Sequence, residues 1–144
     1  SLLDVSLFHR VDDPMDKADV LTLMSDTLER EGYTSDGFLA EVLDREQRSP
    51  TAFGGQFAIP HALHPDARKT GISVLVSDVP IDWSGSQVRL VLMFAVSRDG
   101  RPVFRDVLDE LIEVLNNPSH IATLLEQSGD HHSFVRSLLG LLDG

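Results

Sequence analysis

The sequence predicts an α/β domain in which a mixed parallel/antiparallel sheet is flanked by helices on both faces. Three observations carry that expectation. Apolar residues recur at helical spacing near both ends of the chain and at strand spacing in its middle. The run from Val88 to Val96 has no polar face, which marks a central strand covered on both sides. The links between the middle segments are short, so some neighbouring strands must pair antiparallel. With 144 residues, 42% of them hydrophobic, the chain can bury one sizeable core, and residues 1–144 are expected to form a single domain.

Leu3, Val5 and Leu7 alternate with polar residues and predict a short strand. Asp13-Pro14 has the form of an N-cap followed by a first helical residue, and Ala18, Leu21, Met24 and Leu28 follow at helical spacing up to Gly32. Ser35 can cap a second helix with Phe38, Leu39, Val42 and Leu43 on one side. That helix ends in Asp44-Arg45-Glu46-Gln47-Arg48, a mixed-charge end of the kind that usually faces solvent, before Ser49-Pro50 stops it. Phe57, Ala58 and Ile59 read as a short buried strand. A strand is expected over 71–77 and a break at Asp78-Val79-Pro80. Another extended piece follows at Ile81-Asp82-Trp83, then a turn at Ser84-Gly85-Ser86 before the central strand. Arg98 to Pro102 reads as a loop. Three amphipathic helices then carry Phe104 to Leu115, Ile121 to Leu125 and Phe134 to Leu142, separated at Asn116-Asn117-Pro118 and Gly129.

The net charge is −11 and the isoelectric point about 4.7. Nucleic acid is therefore not an expected partner, since its backbone needs a basic face, whereas a basic protein partner would be steered to an acidic chain. The absence of cysteine excludes disulfides, thiolate nucleophiles and thiolate metal sites, and fits a reducing cytoplasm. No apolar run reaches membrane-spanning length and no signal-peptide pattern is visible, so membrane insertion is not expected. A first residue Ser leaves the native start, and any preceding domain, open.

The densest chemistry lies in Phe53-Gly54-Gly55-Gln56-Phe57-Ala58-Ile59-Pro60-His61-Ala62-Leu63-His64-Pro65. A glycine pair leads into the short apolar strand, and the strand stops at Pro60-His61. Proline fixes φ and removes a donor just ahead of the histidine, so the imidazole should sit near the surface on a stiff backbone. Taken alone, a histidine beside proline is more often a plain loop residue than a reactive group. His61 and His64 have the i, i+3 spacing of metal ligands, but no third ligand lies nearby in sequence, and no metal is expected. His131 and His132 are adjacent and point apart on a helix. His9 and His120 read as ordinary surface residues.

Several of these features occur together and in order. Leu43-Asp44-Arg45-Glu46 precedes Ser49-Pro50-Thr51, then Gly54, then Ala58-Ile59-Pro60-His61. Gly32-Tyr33 follows the first helix, and Pro80-Ile81-Asp82-Trp83 leads into the apolar strand. This series resembles the enzyme IIA component of the bacterial sugar phosphotransferase system, in its fructose–mannitol–galactitol class, over nearly the whole chain. The resemblance implies a cytoplasmic phosphoryl relay without a cofactor. The carrier protein HPr would phosphorylate His61, and His61 would pass the group to an enzyme IIB (EIIB) domain that, with its membrane partner, phosphorylates incoming sugar.

That chemistry asks for a neutral imidazole as nucleophile, with its second nitrogen held by an acceptor. Arg45 would grip phosphate oxygens through its planar fork. Main-chain N–H groups around Gly54 and Gly55 either add donors or simply turn the chain. Thr51 either adds a hydroxyl or caps the turn, the cap being favoured. Pro60 helps hold the ring. Partner docking would use an apolar rim of Phe53, Phe57, Leu63 and Phe104. One departure stands out. Mannitol- and nitrogen-type members carry a second histidine at the start of the helix after the central strand, and here Phe104 falls at that place. In this respect the chain is closer to galactitol-like members, or to the related domains of transcriptional regulators and antiterminators that phosphorylation of the histidine controls. A third possibility is a pocket at His61 that binds a small molecule or metal without phosphotransfer.

Overall fold

The computed structural model describes residues 2–52, 55–64 and 66–144; Phe53, Gly54 and Pro65 of the histidine stretch lie outside the described residues. A 3-10 turn at Val5–Leu7 leads into strand β1 (Phe8–Val11). The alternation of Leu3, Val5 and Leu7 predicts a strand, but the Asp4 side chain accepts the Ser6 N–H at 2.9 Å and curls the chain first. Helix α1 (Lys17–Arg30) is capped by Asp16, which accepts from the Asp19 N–H, rather than by Asp13. It ends where expected: Tyr33 N–H donates to the Leu28 carbonyl and Gly32 N–H to the Glu29 carbonyl, with Gly32 at φ +83°. Helix α2 (Phe38–Arg48) starts without a side-chain cap, Ser35 contributing only its carbonyl to the Phe38 N–H.

Strands β2 (Phe57–Ala58), β3 (Gly71–Trp83) and β4 (Ser86–Ala95) complete a four-stranded sheet in the order β1-β3-β4-β2. The outer pairs, β1 with β3 and β2 with β4, are parallel, and the central pair β3 with β4 is antiparallel. The expected break at Asp78-Val79-Pro80 is a register shift between Val76 and Ile81 inside one long strand, which absorbs the proline without ending the pairing. Trp83 pairs with Ser86 across a two-residue turn, with Ser84 at φ 52° and Gly85 at φ 99°; positive φ at both positions matches the twist of a tight hairpin. Helices α3 (Arg101–Leu115), α4 (Pro118–Glu126) and α5 (His131–Asp143) follow, α3 taking in Arg101 and Pro102 from the expected loop.

Successive residues of β3 and β4 point to opposite faces. Leu75, Ile81, Trp83, Val88, Val91 and Met93 pack under α1 and α2. Ile72, Val74, Val76, Leu90, Leu92 and Phe94 pack under α3, α4 and α5. Helices therefore cover both faces of the mixed sheet, in agreement with the sequence. Each such buried side chain contributes about 1.5–3 kcal/mol, and both layers pack on the shared β3–β4 pair.

Candidate functional site

The histidine segment is fixed from both sides before it leaves the sheet. Ile59 N–H donates to the Thr51 carbonyl at 3.1 Å, and Phe94 N–H donates to the Pro60 carbonyl at 3.0 Å. His61 forms one further parallel bridge with Phe94. Pro60 is buried in this frame, His61 is half-buried, and His64 is exposed.

The His61 ring has one orientation that its neighbours define. Nδ1 lies 2.9 Å from the Ile59 carbonyl oxygen. A carbonyl can only accept, so Nδ1 carries the proton and Nε2 keeps the lone pair. The Phe104 ring lies 5.6 Å from the imidazole, centroid to centroid, and packs in turn on Phe94 at 5.1 Å. Burial holds the His61 pKa below its ordinary value. The nearby Arg45 charge depresses it further, against the bond to Ile59 and the Glu46 charge, which raise it. The ring is therefore neutral at pH 7, with a free nucleophilic nitrogen.

Arg45 reaches this neighbourhood from the end of α2, where its Nη1 donates to the Ser49 carbonyl at 2.6 Å. Glu46 is the residue that sequence reasoning missed. The mixed-charge helix end was expected to face solvent, but Glu46 is only 6% exposed. Its carboxylate accepts from the Thr51 N–H at 3.2 Å, the Thr51 hydroxyl and the Trp83 indole N–H at 3.3 Å, and pairs with Lys17 Nζ at 2.8 Å. Four donors converge on one buried carboxylate, the condition under which a buried charge is tolerated. The only sequence signal was its place between Arg45 and Thr51. The Thr51 hydroxyl is thus spent on Glu46, while the Thr51 carbonyl carries the connection on to Ile59.

Other expected residues lie elsewhere. Gly55 lines a separate hollow with Gln56, Gly85 and Asn116 beyond the far end of β2, and is not brought to the imidazole. Phe57 is no part of an exposed rim: it is fully buried beneath α3–α5. Leu63 and Phe104 do line the cleft at His61, which has a volume of about 310 Å³. Arg101 and Arg105 of α3 line it too, and Arg101 also borders an adjoining hollow with Arg98. The mouth is thus basic on an acidic protein. His9 and His120 are not plain surface groups. His9 Nε2 lies 2.9 Å from the Thr27 hydroxyl, and His120 Nδ1 donates to the Val114 carbonyl at 2.7 Å. Among the described residues no group of three or more His, Asp or Glu is placed to hold a metal ion, and no helix is long and apolar enough to cross a membrane.

Comparison with known proteins bears on this geometry. A family model described as EIIA 2 of the phosphoenolpyruvate-dependent sugar phosphotransferase system matches residues 1–138. The probable licABCH operon regulator of Bacillus subtilis is 26% identical over 115 residues, covering 80% of this chain but 18% of its own length. The mannitol-specific phosphotransferase enzyme IIA component of Halalkalibacterium halodurans is 32% identical over 82 residues, covering 55% of this chain and 57% of its own. The chain thus spans under two thirds of both relatives. The nitrogen regulatory protein IIA-Ntr of Neisseria meningitidis shares the fold with a TM-score of 0.79 at 20% identity, over 98% of this chain and 96% of that one. The mannitol enzyme IIA of Escherichia coli, solved in complex with phosphorylated enzyme IIB, shares it at 0.78 and 22% identity, over 99% and 97%.

Proposed function

Because the chain belongs to the EIIA 2 family of the phosphoenolpyruvate-dependent sugar phosphotransferase system, we propose that it is a cytoplasmic phosphoryl carrier, one EIIA type-2-like unit, that accepts phosphate from HPr on Nε2 of His61 and passes it to an EIIB domain. The observation that carries this reading is the bond from Nδ1 to the Ile59 carbonyl, which leaves Nε2 as the only nucleophilic ring atom. In the forward step the Nε2 lone pair forms the N–P bond as the bond in the donor breaks, and the electron pair of that bond returns to the donor. Nδ1 keeps its proton throughout. Positive charge then develops on the ring, and the Ile59 oxygen and the Glu46 charge favour it. Transfer of this kind is mainly positioning and charge stabilisation, the part Arg45 would take. Neither Gly54, which lies outside the described residues, nor Gly55 is assigned a part.

A second reading is regulatory: an EIIA-like module of a longer transcriptional regulator, switched by phosphorylation at His61. What favours it is Phe104, an apolar ring with no proton to exchange, set beside the imidazole, together with the likeness to an operon regulator.

One experiment separates them. Phosphoenolpyruvate, enzyme I and HPr should label the wild-type chain, and His61→Ala should take no label. Addition of an EIIB domain should then discharge the carrier within seconds, whereas a regulatory module should hold its label. A wild-type chain that stays unlabelled would remove both readings.

A further inference from the structure

We propose that Arg101 and Arg105 form a second phosphate-gripping element, facing His61 from the opposite layer of the fold to Arg45. The inference rests on the phosphoryl-acceptor reading of His61 and adds to it a ligand site for the phosphoryl oxygens.

Phe104 gives the imidazole an apolar wall but no hydrogen-bond donor. The residue three positions before it and the residue after it are both arginines. Residues 101 and 105 stand four apart in α3, so they share a face, with Phe104 beside them. Both line the cleft that holds the His61 ring. Neither guanidinium has a carboxylate within 4.0 Å among the described residues. That holds even for Asp66, which borders the adjoining hollow together with Arg101. On a chain with 23 acidic residues against 12 basic ones, two uncommitted arginines beside one nucleophile are an anion site waiting for its charge.

Geometry divides the work. Arg45 approaches from α2, under the face covered by α1 and α2, and already spends one N–H on Ser49. Arg101 and Arg105 approach from α3, which covers the other face. A dianionic phosphoryl group on Nε2 would then lie between cations on two sides. The planar guanidinium fork suits its oxygens in pairs.

The test uses two probes. Inorganic phosphate is titrated into the unphosphorylated protein and followed by NMR at the His61 ring and the arginine side chains. The half-saturation concentration should rise about tenfold in Arg101→Ala/Arg105→Ala, the loss of one charge-assisted contact or more. Arg101→Lys/Arg105→Lys should recover part of it. Single-turnover labelling by phosphorylated HPr at saturating HPr should slow by a similar factor, with the HPr half-saturation changing far less. Unchanged phosphate binding with unchanged transfer would overturn the inference while leaving His61 as acceptor. A slower reaction explained wholly by weaker HPr association would overturn it too, making the pair a docking patch. If the wild-type chain takes no label but phosphate still shifts His61 through the arginines, the carrier reading fails and the anion site stands.

Discussion

His61 donates its Nδ1 proton to the carbonyl of Ile59, two residues before it in the chain, at 2.9 Å. The ring is thus tied to the strand that delivers it. Ile59 is fully buried, and its own N–H is held by Thr51. Rotation of the imidazole would break a bond into a frame that cannot follow.

Acid should reveal the cost of burying that ring. His61 and His9 both titrate below their ordinary value of 6.5, in each case chiefly through burial. The unfolded chain then binds protons that the folded one refuses, so ∂ΔG/∂pH is positive as pH falls through 6.5 and below. Stability is complete above that value and is lost progressively beneath it. Urea midpoints measured from pH 8 to pH 5 should fall, and His61→Asn and His9→Asn should each flatten the slope. A steeper slope in either variant would contradict the assignment.

Removal of the Glu46 charge should be felt at two places. Glu46→Gln leaves the Lys17 ammonium without its partner in a half-buried position and should cost about 2 kcal/mol or more. It also withdraws the one charge that raises the His61 pKa, so the NMR titration midpoint of His61 should move further down. A merely structural loss would lower stability and leave the midpoint in place.

Phe104→Ala should act in the reverse sense. Water would reach the face of the imidazole that the phenyl ring now covers, and the His61 midpoint should climb back toward 6.5. If the midpoint stayed where it is, the burial that depresses it would have to come from Phe94 and the strand alone.

Gly71 opens β3 against the Tyr33 ring, leaving no room for a Cβ. Tyr33 in turn anchors the preceding loop: its carbonyl accepts from Arg68 N–H at 2.9 Å, and Lys69 Nζ stands 4.3 Å over its ring. Gly71→Ala should therefore destabilise the fold by about 1–3 kcal/mol, the range for overpacking. Tyr33→Leu should relieve part of the loss, a pairing that a thermal melt of the double variant would read.

The layers, the central strand and the helix stops were legible because they follow from hydrophobic period and local turn chemistry. The seat of His61 was legible too: Pro60-His61 was expected at the end of a short buried strand, and it lies just beyond β2, bridged to Phe94. What failed were features decided by contacts distant in sequence. Glu46 looked like a solvated helix end because its partners, Lys17, Thr51 and Trp83, come from three other segments. Phe57 was placed on a rim because a two-residue strand does not say which face is covered. Arg101 and Arg105 were hidden in an expected loop and an amphipathic stripe, and only the packing of α3 against the strand end puts them beside His61.

The turn at Ser84 and Gly85 divides the chain between the parts that meet at the cleft. Phe38, His61 and Leu63 come before it; Phe94, Arg101, Phe104 and Arg105 come after. A polypeptide cut at that hairpin would yield two fragments, neither holding a complete pocket. Under the phosphoryl-carrier proposal, label at His61 would return only as the pieces recombine, and would count reassembled molecules one by one.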